Sequence, residues 1–253
     1  MVQGVEIVRF GKDGLQRTER ALPAPGPGQV RIRMGAVSLN YRDLMMVLGL
    51  YNPRQPLPLI PCSDGAGTVV AVGEGVTAWR PGDRVMGAFA QDWLDGDVDG
   101  RCGRRTLGGP LEGMLAEEVI LPETGLVHSP NSLSDAEAAC LPCAGVTAWH
   151  ALVAQGEIKS GDTVLVIGTG GVSLFALQIA RAHGARVIVV SRSEEKLARA
   201  QALGASAGVC SALTPDWGKA VQGLTDGRGV DHVVEVGGAG TLAQSIEARA
   251  GHT

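Results

Sequence analysis

Thr163-Val164-Leu165-Val166-Ile167-Gly168-Thr169-Gly170-Gly171-Val172-Ser173 is the stretch that decides the fold of this chain. Its first residues, Thr163 to Ile167, have the composition of a fully buried strand, and Leu174 to His183 beyond the turn has helical spacing. Glycine at 168 permits the tight turn, and glycine at 170 lets the backbone approach a pyrophosphate. Thr169, Gly171 and Val172 lie where the free amides and positive dipole end of a helix meet an anion. The third position of the dinucleotide fingerprint is Ser173 rather than glycine. A glycine triplet alone is weak evidence, but this one follows a strand, opens a helix and sits in a βαβ unit closed by Arg186 to Val190.

The second strand runs out at Val189-Val190-Ser191-Arg192-Ser193, with no carboxylate to hold the ribose diol of NAD. Ser191 can donate to a 2'-phosphate, and Arg192 and Lys196 can pair with its charge, so NADP(H) is favoured over NAD(H). The alternative is that Arg192 and Lys196 form a solvated face against Glu194 and Glu195.

Outward from this unit, further apolar runs at Ala205 to Cys210 and His232 to Val236 alternate with helical stretches. The expectation is a partial doubly wound parallel sheet of about four strands over 131–253. Gly237, in the turn after the fourth run, is a further candidate cofactor contact. The region 1–130 reads instead as strands and loops. Gln29 to Met34 alternates polar and apolar residues, and Asp64 to Gly73 is a strand with glycines where a bulge or close packing is expected. Pro81-Gly82-Asp83 is a turn before Arg84 to Met86, Leu115 to Leu121 is another strand, and Asp43 to Leu50 is a short helix. Ser134-Asp135-Ala136-Glu137 is a capping box that starts a helix.

The chain has 253 residues, a formal net charge of -4 and no cluster of lysine and arginine, which speaks against a nucleic-acid partner and for small molecules. The N-terminus lacks the basic start and apolar run of a signal peptide, so a cytoplasmic location is expected. Ala136 to Ala154 is apolar enough to consider as a membrane span, but Glu137, Pro142 and His150 favour a buried helix of a globular domain. Five cysteines, at 62, 102, 140, 143 and 210, read as reduced thiols. Cys140 and Cys143 have redox-motif spacing but lie in an apolar context that suits packing.

Asn40-Tyr41-Arg42-Asp43, Pro61 to Gly73, Pro81 to Val85 and the Gly168 turn together resemble the medium-chain dehydrogenase/reductase superfamily, with the zinc-type alcohol dehydrogenase-like proteins and quinone oxidoreductases the nearest groups. The resemblance covers nearly the whole chain. It implies a GroES-like catalytic domain, here 1–130, ahead of a Rossmann domain, with the active site in the cleft between them. Zinc enzymes of that superfamily hold catalytic metal through Cys, His and Cys, whereas the matching positions here are Asn40, Ser63 and Cys143. Their structural zinc uses four cysteines in a lobe matching 88–112, where only Cys102 stands. No metal site is therefore expected. Without a Lewis acid, the substrate carbonyl must be stabilised by hydrogen-bond donors or conjugation, which favours a quinone or an enone.

By the same resemblance Asn40, Tyr41 and Asp43 lie near the nicotinamide, the first two orienting substrate and Asp43 holding the loop. A purely structural role of Tyr41 and Asp43 in a turn remains open. Thr147 resembles the residue that approaches the nicotinamide end of the cofactor. His150 reads as packed or exposed rather than catalytic, and His128, His183, His232 and His252 receive no role. The functional expectation is an NAD(P)H-dependent, zinc-independent oxidoreductase transferring hydride to a conjugated carbonyl. An alcohol dehydrogenase of small alcohols or aldehydes is the alternative. The superfamily continues with two more Rossmann strands, so a shortened end, weak cofactor binding and a non-catalytic nucleotide-binding protein are further expectations. Relatives often pair through an edge strand, which keeps a homo-oligomer among the expected partners.

Overall fold

The computed structural model describes residues 1–96 and 104–251. Cys102 and His252 lie outside the described residues. By compactness the chain divides into two units, one ending at Cys143 and the other beginning at Ala144.

The first unit contains β1 (Val2–Ile7), β2 (Leu15–Arg20), β3 (Gln29–Ser38), α1 (Tyr41–Val47), β4 (Asp64–Val72), β5 (Arg84–Gly87), β6 (Glu118–Pro122), β7 (Leu126–His128) and α2 (Asp135–Ala138). β1 and β2 form an antiparallel hairpin, and the others form a five-stranded antiparallel sheet in the order β6-β3-β4-β5-β7. The alternation along β3 sends Val30 and Ile32 into a core with Val69, Val85, Met114 and Leu121. In β4 the glycines serve close packing: a Cβ at Gly67 would lie 2.2 Å from the Arg33 carbonyl oxygen. The ladder irregularities fall on neither β4 glycine: Val70 of β4 is the extra residue opposite Arg31 and Ile32, and Gly35 of β3 is the extra residue opposite Ala66 and Gly67. The strand expected from Leu115 begins only at Glu118, because the residues before it bridge to β1, with the Val5 N–H donating to the Leu115 carbonyl at 3.0 Å.

The capping box at Ser134 forms as its sequence implies. The Glu137 carboxylate accepts from the Ser134 N–H at 2.8 Å, and Ser134 Oγ accepts from the Glu137 N–H at 3.3 Å. The helix it starts, α2, packs on β3 and β4, and Asp135 pairs with Arg84 of β5 at 2.5 Å. These ties carry the first unit to Cys143, past the 130/131 division read from the change in sequence pattern. The single buried helix expected over 136–154 is broken into α2, a π-helical turn Leu141–Gly145 containing Pro142, α3 (Val146–Trp149) and a second π-helical stretch His150–Gln155. Proline removes a ladder donor, which accounts for the break, and Val146 and Trp149 are exposed rather than buried. No helix among the described residues is long and apolar enough to cross a membrane.

The second unit continues with β8 (Thr163–Ile167), α4 (Gly171–Ala182), β9 (Arg186–Ser191), α5 (Glu194–Ala202), β10 (Ala207–Cys210), α6 (Trp217–Gly223), β11 (His232–Val234) and α7 (Ala239–Ala248). Its four strands are all parallel, in the order β10-β9-β8-β11. Successive side chains of a strand face opposite ways. Val164, Val166, Val187 and Val189 therefore pack with Leu177 and Ala180 of α4, while Leu165, Ile167, Ile188 and Val190 pack with Trp217 and Val221 of α6. Both faces are covered, which is why these strands read as unbroken apolar runs. Numbered from β8, the order is 3-2-1-4, so the chain reverses direction across the sheet between β8 and β11.

Candidate active site

In the second unit the functional elements gather at the carboxyl ends of the strands. Gly168 ends β8 with φ +79°, a conformation that a side chain with Cβ resists, and its N–H donates to the Val190 carbonyl at 2.7 Å. Around Gly170 nothing lies within 4 Å of where a Cβ would be, so that space is open to a ligand. The Leu174 N–H, bonded to the Gly170 carbonyl at 2.9 Å, begins the helical ladder. The amides of Gly171, Val172 and Ser173 therefore precede it and point at the turn. Ser173, at the third fingerprint position, is buried and donates its hydroxyl to the Ile167 carbonyl at 2.8 Å, which lets a serine sit where strand and helix approach closely. These features fit a dinucleotide pyrophosphate, with Thr169 and Gly171 flanking the turn.

At the end of β9, Ser191 is buried, and its Oγ accepts from the Ser193 N–H at 3.3 Å, leaving its own proton free to donate. Ser193 caps α5 by accepting from the Lys196 N–H. Arg192 and Lys196 are exposed, and among the described residues neither enters an ion pair. Glu194 and Glu195 are thus not their partners. Thr147 is exposed on α3, which packs against α4. Gly237 follows β11, and its N–H is already engaged by the Glu235 carboxylate at 2.5 Å.

In the first unit a second cluster is assembled from three separated segments. Asn40 stands before α1, Cys62-Ser63-Asp64 leads into β4, and Cys143 ends the unit. Asp64 is fully buried: one carboxylate oxygen accepts from the Ser63 hydroxyl at 2.7 Å and the other from the Cys143 N–H at 2.9 Å. Burial pushes its pKa up, opposed by the Ser63 hydroxyl, the Asn40 side chain and the Cys143 amide. Asp43 is buried too and raised for the same first reason, opposed by the Asn40 N–H, which it accepts at 2.8 Å, and by Arg42. That bond closes a capping box on the first turn of α1, and the helix starts at Tyr41 rather than Asp43.

Arg42 is nearly buried between the rings of Tyr51 and Phe89, at 4.8 and 5.0 Å, and donates to the Leu107 carbonyl at 2.8 Å. Asn40 Nδ2 is buried near the Asp64 carboxylate, and neither it nor Arg42 Nε makes a well-formed hydrogen bond among the described residues. Tyr41 is 76% exposed. Sequence reasoning passed over Asp64 and Arg42; Asp64 directly follows the expected ligand position Ser63, and a carboxylate opening an apolar strand was the available signal.

The donor set does not fit a catalytic zinc. An amide and a hydroxyl replace two of the three ligands, and the Ser63 hydroxyl is spent on Asp64. Burial followed by the nearby charges of Asp64 and Asp43 pushes the Cys143 thiol up to about 11, so it stays protonated at neutral pH. Cys62, buried with φ +72°, is pushed up to about 12 by the same causes. Among the described residues no group of three or more histidine, cysteine, aspartate or glutamate side chains is placed to hold a metal ion.

Cys140 and Cys143 are free, half-buried thiols. The histidines have structural partners: His128 lies against Trp79, His183 bonds the Ile179 carbonyl, and His232 pairs with Asp162 at 2.9 Å. His150 is exposed.

The alcohol dehydrogenase GroES-like domain model matches residues 26–131, and the zinc-binding dehydrogenase model matches 171–251. A zinc-type alcohol dehydrogenase-like protein of Schizosaccharomyces pombe is 46% identical over 93% of this chain and 69% of its own length. Acryloyl-coenzyme A reductase of Metallosphaera sedula is 36% identical over 75% of this chain, which spans 59% of that relative. The crystal structure of an alcohol dehydrogenase assigned in Sinorhizobium meliloti 1021 matches 98% of this chain and 74% of its own, with a TM-score of 0.90 and 47% identity.

Proposed function

The chain belongs to the medium-chain dehydrogenase/reductase superfamily, and on that premise we propose that it is an NADPH-dependent, zinc-independent reductase of conjugated carbonyls. The observation that carries the cofactor choice is the end of β9, where no carboxylate stands and Arg192 and Lys196 are exposed and unpaired among the described residues. A 2'-phosphate meets there two free cations and the Ser191 hydroxyl. The pyrophosphate is received by the Gly168–Gly170 turn and the first amides of α4, with Thr147 toward the nicotinamide end and Gly237 bordering the cofactor through its backbone while its N–H stays with Glu235.

When bound, NADPH supplies the hydride. The chain's own part is to orient the substrate and stabilise charge developing on its carbonyl oxygen. Asn40 Nδ2 and Arg42 Nε are buried donors without a well-formed hydrogen bond among the described residues of the first unit, and the exposed Tyr41 hydroxyl is a further donor in that segment. Asp43 and Asp64 hold the segments that carry Asn40, Ser63 and Cys143. Conjugation spreads the developing charge, so an enone or quinone needs less from these donors than a simple ketone. The name of the Metallosphaera relative, a reductase of an acryloyl thioester, supports an activated double bond as the target. An alcohol dehydrogenase acting on small alcohols is favoured by the names of the yeast and Sinorhizobium relatives.

A panel of enones, quinones, aldehydes and alcohols with NADPH or NADP, run with metal analysis of the same sample, separates these readings. Turnover of an enone or quinone in zinc-free protein is expected. Alcohol oxidation that follows zinc content overturns the proposal.

A further inference from the structure

The turns that follow the adjacent strands β8 and β11 have opposite occupants. β8 and β11 are adjacent and in register, with Val234 beside Val166, so the turns after Ile167 and after Val234 emerge side by side, about 5 Å apart. Beyond the Gly168 N–H, which is bonded to Val190, the Gly168 turn leaves the first amides of α4 facing open space at Gly170. The second turn, Gly237-Gly238, is closed by a side chain. Glu235 accepts from the Gly237 N–H at 2.5 Å, the Gly238 N–H at 3.0 Å and the Thr241 hydroxyl at 2.8 Å, and also from the Ser245 hydroxyl. Gly238 has φ +81°, which aims successive amides at one point, and the ten-residue helix α7 begins immediately after it. Amides converging at a helix start are a place for an anion.

We infer that Glu235 is a positioning residue for the cofactor: its carboxylate takes the anion place at the start of α7, fixes the Gly237-Gly238 turn beside Gly168, and so directs the pyrophosphate to α4 rather than to α7. The direction toward α4 rests on the dinucleotide-binding reading proposed above; the filled anion place does not. The carboxylate is ionised at neutral pH, since burial works against its charge but the two hydroxyls and two amides outweigh it and keep the pKa low. Replacing it removes the charge while leaving Gly168, Gly170, Ser191 and Arg192 untouched.

The test has two arms. In the first, NADPH affinity and steady-state constants are compared between the full chain and Glu235→Gln, which keeps the shape. The expected result is about a tenfold rise in Kd and KM with kcat within about twofold, since a charge-assisted set of bonds is weakened away from the reacting atoms. Unchanged Kd overturns the positioning role.

In the second arm, inorganic phosphate is titrated against melting temperature in the full chain and in Glu235→Ala. A larger phosphate-dependent rise in the variant shows the vacated anion place, and equal rises overturn it. This arm needs no dinucleotide, so a chain that failed to bind NADPH would defeat the cofactor reading and still leave the filled anion place tested. If Glu235→Ala folds poorly, Thr241→Ala, which loosens the hold on the carboxylate, takes its place with the same expected sign.

Discussion

The Gly168 turn and the Asp64 cluster are built by opposite means. The turn uses backbone: a left-handed glycine, an open position at Gly170 and helix amides, all within a few residues of chain. The cluster is built around a side chain: the fully buried Asp64 carboxylate brings together the Asn40 and Ser63 side chains and the Cys143 amide from segments far apart in sequence. A backbone site writes itself as a local pattern and tolerates no carboxylate or bulk where the ligand must come. A side-chain site depends on every bond to its central group, and it announces little in the chain.

Gly170→Asp breaks the comparison on the turn side. No atom lies within 4 Å of the new Cβ, so folding is expected to change little, while a carboxylate facing the pyrophosphate weakens NADPH binding about a hundredfold or more. A titration paired with a melting curve checks both halves, and equal losses of affinity and stability would show that the turn is structural only. Arg192→Ala comes next. Losing one charge-assisted partner of the 2'-phosphate should cut the preference for NADPH over NADH by about tenfold or more with little change toward NADH. Competitive titration with both cofactors measures it.

On the cluster side, Asp64→Ala leaves the Ser63 hydroxyl and the Cys143 amide buried without their acceptor, which should cost about 2–3 kcal/mol of stability in denaturant unfolding. Asp64→Asn, which keeps one acceptor, should cost less. A loss below about 0.5 kcal/mol for the alanine variant would mean that the cluster is not held by Asp64. Cys143→Ser is expected to have the smallest effect, within about threefold in kcat/KM, because on the proposed zinc-free reading a protonated thiol has little chemistry to lose. A loss of several orders of magnitude would restore a ligand role.

The two regions also differ in the sign of their response to acid. Asp43 and Asp64 have folded pKa values raised by burial, so their contribution to stability is full below the ordinary carboxylate range and is lost as pH rises through the raised values. In the second unit Arg228, against the cost of burial, draws Asp231 down to about 2. Asp162 and Glu235 are also lowered, despite burial, by His232 and by the α7 hydroxyls respectively. Their contribution is full above the ordinary range and is lost as pH falls. Acidification from roughly pH 5 toward pH 2 should therefore loosen the second unit while favouring the buried pair of the first. Trp79 and Trp217, each buried in one unit, report the two by fluorescence in single-tryptophan variants in which the other three tryptophans are replaced by phenylalanine.

This contrast also sets what was legible in the sequence. Gly168, the four parallel strands and the Ser134 capping box were readable because each depends on neighbours within a turn or a strand. The β1–β2 hairpin was not: Leu15–Arg20 is mostly polar and exposed, and its pairing with Val2–Ile7 is decided by tertiary contact. The break in the 136–154 segment was half legible, since Pro142 was noted as a cost in hydrocarbon but not as the interruption of a helix. In the site, the failing ligand set at Asn40 and Ser63 stood out against the superfamily pattern. Asp64 did not, because only folding reveals that its two oxygens join Ser63 to Cys143.

The central claim is that the Gly168 turn and the end of β9 receive NADPH while the Asp64 cluster works without metal. The most direct test is a fluorescence titration of chelator-treated, zinc-free full chain with NADPH and with NADH, followed by addition of an enone. The account predicts tighter binding of NADPH and its oxidation by the enone at a rate that added zinc does not raise. Tighter binding of NADH, or turnover that returns only with zinc, would contradict it.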